Sequence, residues 1–264
     1  MSTDPHETRH EITLVSAEER PDLIPAFDEL GAAVWPKFIG GDEVIVRHWD
    51  SLFSSALRRH QFLALGHDGH GNERVLATSN SISFHWPDAD DETSLPDAGW
   101  DAVLTRGVEG AAAGETPNAL SALAIVVTPE VRGSDLAERL IANMKRHAKD
   151  SGLDALVAPV RPTKKPAYPL ASFADYIGWK TTDGAPFDPW LRKHWQLGGR
   201  IVKIVPRSMR VAAPLEQWTV WTGLRFPVSG PYHVEGGLAP LMADCEADIG
   251  LYEEPNVWMR HRLG

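Results

Sequence analysis

The amino-acid sequence predicts an α+β fold, a mixed central β-sheet flanked by helices, in one elaborated domain spanning residues 1–264. Three observations lead there. Residues 119–160 run as an apolar strand, a loop of phosphate-binding size, an amphipathic helix and a second apolar strand. Residues 61–84 read as a hairpin, two strand-like runs joined by a turn rich in Gly, Asp and Asn. No internal repeat or low-complexity linker divides the chain.

The elements follow in order. Residues 11–16 are rich in β-branched side chains and read as a first strand. A helix with Leu23, Ile24, Phe27, Leu30 and Val34 on one face follows and is stopped by Trp35-Pro36, while Pro21 and Pro25 leave its start open. A second helical segment covers 46–60, with Trp49, Leu52, Phe53 and Leu57 on one face. After the hairpin, residues 87–118 form an insertion with a short helix near 98–110, long enough to serve as a binding loop or lid. Residues 119–127 suit a doubly buried strand, and Leu136, Leu140, Ile141 and Met144 mark one face of the next helix. Residues 153–160 form another buried strand. A short helix lies within 168–179, a strand at 200–205 and a final strand at 256–261. Residues 213–250 make a second insertion, in which 218–226 reads equally as strand or irregular turn.

Composition narrows the function. Of 264 residues, 36 are acidic and 26 basic, and a formal charge of -10 argues against a nucleic-acid partner. The one cysteine, Cys245, excludes an intramolecular disulfide and points to a reducing cytoplasm; its acidic neighbours disfavour thiolate, so it reads as inert. Residues 1–10 lack a secretory h-region, and no apolar run approaches the roughly 18 residues of a membrane span. His67 and His70 sit in a glycine-rich turn without further ligands, so no metal site is expected. A homodimer stays open.

The segment 127–141 carries the chemistry. Its loop leads straight into a helix, where free N–H groups and the macrodipole favour a pyrophosphate and small residues allow close approach. It resembles the acyl-CoA-binding segment of the GNAT superfamily, Gln/Arg-x-x-Gly-x-Gly/Ala, with Arg132 at the first position and Ala137 at the last. Asp135 departs from the pattern, standing where the family has glycine. With Glu138 it fits a capping box, which would occupy the N–H groups a phosphate needs. The element order from 11 to 160 is also similar to the GNAT arrangement. Residues 173–179 look like the end of the family's fourth helix, with Gly178 matched, Trp179 in place of phenylalanine, and Ala174 where the family has tyrosine.

The resemblance implies transfer of an acyl group from acetyl-CoA or another acyl-CoA to an amine on a small-molecule acceptor. It implies cofactor contacts from Arg132, Gly133, Ser134, Asp135, Leu136 and Ala137, and N–H groups for the thioester oxygen from Ile125, Val126 and Val127. Tyr176 and Tyr168 are the nearest substitutes for the missing tyrosine. Tyr176 lies two residues along and so points about 200° around the helix. His85 is the remaining candidate base. Arg161, Lys164 and Lys165 follow a strand and offer charge to phosphates, and Trp86, Trp100, Trp179, Trp190 and Trp195 suggest an aromatic acceptor groove. A non-catalytic acyl-CoA-binding or regulatory protein is the second reading; an α/β protein for another nucleotide is the third.

Overall fold

The computed structural model describes residues 12–68 and 70–263; the segment read for a leader lies outside them. Among the described residues nine strands form one sheet. They are β1 (Thr13–Ser16), β2 (Phe62–His67), β3 (Glu73–Phe84), β4 (Ala119–Val127), β5 (Ala155–Val160), β6 (Gly199–Ala213), β7 (Gly230–Tyr232), β8 (Leu241–Asp244) and β9 (Ile249–His261). Their order is β1-β2-β3-β4-β5-β9-β8-β7, with β6 on the other edge of β9. The β4–β5 pair is parallel and the other pairs are antiparallel.

The helices form two layers. α1 (Pro25–Val34), α2 (Glu43–His48), α3 (Gly99–Ala113) and α7 (Leu215–Thr222) cover one face. There Leu52, Leu57, Trp100, Val103, Leu104 and Trp218 pack on Leu123, Val157, Val211, Tyr252 and Trp258. α4 (Leu136–Asp150), α5 (Phe173–Gly178) and α6 (Pro189–Gln196) cover the other. The period expected for α4 holds, since Leu136, Leu140, Ile141 and Met144 are all buried. Each such side chain removed from water contributes about 1.5–3 kcal/mol before entropy is charged against it.

Four sequence expectations change. The segment 46–60 is not one helix: it breaks into α2 and two 3₁₀ turns, Trp49–Phe53 and Arg58–His60. Ser54 is extended (φ -60°, ψ 161°), as serine's weak helix preference allows, and the break lets both Leu52 and Leu57 reach the core. The 87–118 insertion is not a lid over the surface, because α3 is 15 residues long and buries Trp100, Val103 and Leu104. Residues 218–226 are neither strand nor turn at their start. They begin inside α7, which follows Pro214 and is closed by left-handed Gly223 (φ 72°). The 213–250 segment also adds β7 and β8 to the sheet. Cys245 is exposed just after β8.

Two histidine pairs, one buried and one partly buried, tie elements distant in sequence. His60 Nδ1 lies 2.8 Å from His147 Nε2, and His194 Nδ1 lies 2.9 Å from His261 Nε2. Burial pushes His60 and His194 down to about 3 and His261 to about 4, with the neighbouring charge of the partner ring or Lys145 acting in the same direction. The folded state therefore holds these rings neutral. Their contribution is intact above the unfolded histidine value of about 6.5 and is lost progressively as pH falls below it. We expect the chemical-denaturation midpoint to drop between pH 6.5 and 4.5, and to drop less steeply in a His60→Gln, His194→Gln double variant. Equal slopes for the two proteins would mean that the pairs are not kept neutral.

Candidate active site

Strands β4 and β5 stay together for only three residue pairs, Ala119↔Ala155, Leu120↔Leu156 and Ser121↔Val157. Beyond them β5 follows β9 to Val160↔Val257, while β4 follows β3 to Val127↔Ala77. The strands part at Ala122 and leave a wedge. Leu123 is the extra residue of a bulge, since Asn80 faces Ala124 and Ser81 faces Ala122. The Thr128 amide donates to Leu76 O at 2.9 Å. Alternation along an antiparallel ladder then sends the Val126 amide to β3 and the Ile125 and Val127 amides into the wedge. Of the three amides expected there, Val126 is thus committed to the sheet.

The loop at the end of β4 enters α4 on one face of the sheet. Gly133 has φ +88°, a conformation that disfavours any L side chain. Ser134 Oγ donates to Val131 O at 2.7 Å and accepts the Leu136 amide at 3.3 Å. Arg132 Nε donates to Val127 O at 3.4 Å, which lays its stem along the loop. The expected capping box is absent. Asp135 (φ -80°, ψ 6°) lacks the extended backbone that turns a side chain back onto the helix, and it makes no capping hydrogen bond. Glu138 pairs with Lys193 of α6 instead. The helix start is therefore not filled by a carboxylate, and a recess beside it is lined by Arg74, Arg139, Ser134 and Asp135.

The opposite face gathers a buried acidic cluster. Continuing the β4–β5 register places Arg161, just past β5, level with Ile125. Its guanidinium holds Glu254 of β9 in two contacts, Nε to Oε1 at 2.8 Å and Nη2 to Oε2 at 3.1 Å. Tyr252 donates to the same carboxylate at 2.7 Å and accepts the Leu238 amide at 2.9 Å. Asp42 caps α2, accepting the Val44 and Ile45 amides, and its second oxygen accepts the Arg210 amide of β6 at 2.9 Å. Asp101, in the first turn of α3, hydrogen-bonds Asp42. Burial, then the charge of Asp42, pushes Asp101 up to about 8, and Asp101 Oδ1 has no hydrogen-bond partner.

The start of α3 is held tightly. Gly99 has φ +41°, and a Cβ there would lie 2.2 Å from Ser208 Oγ. That hydroxyl accepts the Trp100 amide at 2.8 Å. The Trp100 indole donates to Leu123 O at 3.0 Å, so the helix carrying Asp101 is pinned to the bulge where the wedge opens. Trp49 stacks beside Trp100, with centroids 6.5 Å apart, and Trp35 lies beneath Arg161.

Other expected residues are placed elsewhere. Tyr176 is buried and donates to Asp188 at 2.8 Å; burial, then this bond, raises it. Tyr168 packs its ring against Tyr176, Trp179 and Phe187. Both therefore serve an aromatic cluster on the α5–α6 face, while Ala174 is exposed. His85 follows β3 at the end opposite the Arg132 loop and lines a separate recess of about 180 Å³ with Arg59 and Glu115. The basic run does not converge on phosphate. Arg161 serves Glu254, and buried Lys165 donates to Tyr168 O. Nor do the five tryptophans share a groove: Trp86 lies beside His85, Trp179 and Trp190 are on the α5–α6 face, and Trp195 is exposed. Sequence reasoning missed Asp42, Asp101 and Glu254. Only Asp42, a helix cap before an apolar run, carried a local signal.

The chain is 35% identical over 276 residues to the arginine N-acetyltransferase avaD of Aspergillus versicolor, covering 95% of this chain and 94% of that protein. The chain belongs to the GNAT N-acetyltransferase superfamily. No family model matches it. Among solved structures, the loading GNATL domain of CurA from Lyngbya majuscula shares the fold, with a TM-score of 0.57 and 18% identity over 96% of this chain and 98% of that one. The GphF GNAT-like decarboxylase bound to isobutyryl-CoA has a TM-score of 0.52 and 18% identity over 97% and 100%. At that identity these two speak for the fold alone. The protein is an acyl-CoA-dependent N-acyltransferase. Among its described residues no helix is long and apolar enough to cross a membrane.

A carboxylate that lines the recess at the helix start and makes no capping bond predicts that Asp135→Ala tightens acetyl-CoA binding. A charge at a helix terminus is worth about 0.3–1 kcal/mol, so about 2- to 5-fold is expected in a calorimetric titration. Weaker binding together with a lower Tm would show that Asp135 caps the helix after all.

Proposed function

We propose that the acceptor is arginine or a compound presenting the same cation, taken from the acidic face of the wedge. One observation carries this reading: two buried carboxylates, Asp42 and Glu254, and the half-buried Asp101 gather on the α3 face beside the parting of β4 and β5, near the stacked Trp49 and Trp100. Arg161 neutralises Glu254, and Asp42 and Asp101 share a proton, so the cluster retains about one negative charge near neutral pH. A guanidinium or ammonium would balance it, and Trp49 offers that cation an aromatic face. The activity named for the Aspergillus relative supports the same acceptor class.

The donor approaches from the other face. When bound, acyl-CoA supplies the thioester that is attacked. The start of α4, where Ser134 Oγ takes the Leu136 amide, holds the pyrophosphate through its remaining amides and through Arg132, Gly133, Ser134 and Ala137, with Asp135 beside it. The Ile125 and Val127 amides point into the wedge and are placed to orient the acyl arm and to stabilise charge developing on the thioester oxygen. The acceptor meets the acyl carbon from the Trp100–Asp101 side, where β4 bulges. Tyr176 and Tyr168 take no part. A thiol pKa near ~8.5 makes the departing thiolate a tolerable leaving group without a dedicated acid.

Thiol release from acetyl-CoA tests this. Arginine should be turned over, and citrulline, which is nearly isosteric but uncharged in its side chain, should fall at least about 10-fold in kcat/KM, as expected for loss of a buried ionic contact of 1.5–3 kcal/mol. Equal turnover of the two would remove the cation from the recognition scheme.

A further inference from the structure

We propose that the recess beside His85, remote from the transfer centre, binds a small free α-amino acid, with the ligand's carboxylate on Arg59 and its ammonium on Glu115. The inference stands apart from the acyl transfer and from the identity of its acceptor. The recess lies where the end of β3 meets the C-terminal half of α3. Ala77, paired with Val127 where the Arg132 loop begins, is separated from Phe84 at the recess by about 23 Å of strand.

The walls of the recess are set by the fold. α3 closes on β3 at Gly107, where a Cβ would lie 2.4 Å from Ile82 Cγ1 and 2.9 Å from Ser83 O. After left-handed Gly114 (φ 72°) the Glu115 amide donates to Gly110 O at 2.9 Å, which turns the chain back along the helix. A Cβ on Gly110 would lie 2.9 Å from Glu115 Oε2, so the missing side chain lets this carboxylate rest over the last turn of α3. On another side Arg59 stands in the 3₁₀ turn Arg58–His60. That turn is tied to β3, since Ser81 Oγ donates to His60 O at 2.8 Å and Gln61 Nε2 to both Leu57 O and Ser81 O. Asn118 holds the backbone beside His85: its Oδ1 accepts the Trp86 amide at 2.7 Å and its Nδ2 donates to Trp86 O at 2.9 Å. The recess is therefore formed before a ligand arrives, which lowers the cost of binding.

Its charged groups are left unmatched. Among the described residues the Glu115 and His85 side chains have no hydrogen-bond or ion-pair partner. Arg59 spends Nε on His60 Nε2 at 3.4 Å and holds no carboxylate. Other surface cations do pair, Arg20 with Asp22 at 2.8 Å and Lys203 with Asp97 at 2.8 Å. A cation and an anion thus line one recess without meeting each other. A ligand of single charge satisfies one of them, whereas a zwitterion satisfies both and adds no net charge. Volume sets the size. At about 180 Å³ the recess is slightly larger than the ~150 Å³ that takes a benzene, and it is too small for a nucleotide. Leu57, Ala111 and Pro117 supply an apolar lining for a short aliphatic side chain. Both charged side chains are exposed, so millimolar affinity is expected.

The test titrates the full-length, nitrogen-15-labelled protein with L-valine up to about 50 mM and follows its amide and arginine side-chain resonances. Saturable shifts are expected at the Gly107, Gly110 and Glu115 amides and at Arg59 Nε–H, with the amides of 132–137 unmoved. Isovalerate, which lacks the ammonium, and isobutylamine, which lacks the carboxylate, should each bind at least about 5-fold more weakly than valine. Arg59→Gln and Glu115→Gln should each weaken valine by a similar factor and leave Tm unchanged, since both side chains are exposed. The comparison of valine with its two analogues needs no variant and so does not depend on variant folding. Absence of saturable shifts at the recess, shifts confined to the β4–β5 wedge, or binding of either analogue as tight as that of valine overturns the proposal. Unchanged valine affinity in both variants overturns it as well.

Discussion

The parting of β4 from β5 after Ser121 is the constraint on which the rest of the centre depends. A strand inside a sheet spends its amides on both neighbours, and an amide left without a partner away from water is costly. Here β9 takes β5 and β3 takes β4, so the final six residues of β4 have no strand on one side. Alternation then leaves the Ile125 and Val127 amides without a partner from a neighbouring strand. The bulge at Leu123 re-aims the strand where this begins, and its carbonyl is taken by the Trp100 indole from α3. The gap is thus held open by bonds to other elements on each side.

That opening joins two faces with different electrostatics. On the α4 face the helix start presents N–H groups and Arg132, which suit an anion. On the α3 face three carboxylates are drawn together at a cost, since burial penalises each charge. The structure offsets that cost group by group. Asp42 receives three backbone amides, Glu254 receives a guanidinium and a phenol, and Asp101 hydrogen-bonds Asp42. The arrangement depends on a close approach at Gly99, where any side chain would collide with Ser208. A substrate cation entering one face and a phosphorylated donor on the other are thereby kept apart until they meet at the wedge.

What was legible in the sequence follows from which interactions are local. The segment from β4 through β5 could be read because apolar runs, a helix period and a phosphate-sized loop sit within about forty residues. Whether Asp135 caps α4 stayed open in the sequence because S/T/D-x-x-E is a statement about residue types, whereas capping depends on the backbone angles of the cap residue. The acidic cluster could not be read at all. Its members lie at 42, 101 and 254, in a helix cap, a helix first turn and a strand, and only the tertiary fold brings them together. Trp218 shows the same limit in another form: its segment carries strand-forming residues, yet Pro214 and Gly223 bound a helix whose tryptophan anchors on Gly250 O.

The absence of tyrosine at Ala174 shifts the chemical burden. A departing thiolate is a far better leaving group than an amine, so acyl transfer to nitrogen is limited more by the proton the acceptor must lose than by the proton the sulfur gains. An enzyme can therefore do without the acid sooner than without the base. Tyr176, in the core and bound to Asp188, stabilises the α5–α6 junction. α3 is tied to the other side of the wedge: the Trp100 indole on Leu123 O fixes the start of the helix relative to the bulge.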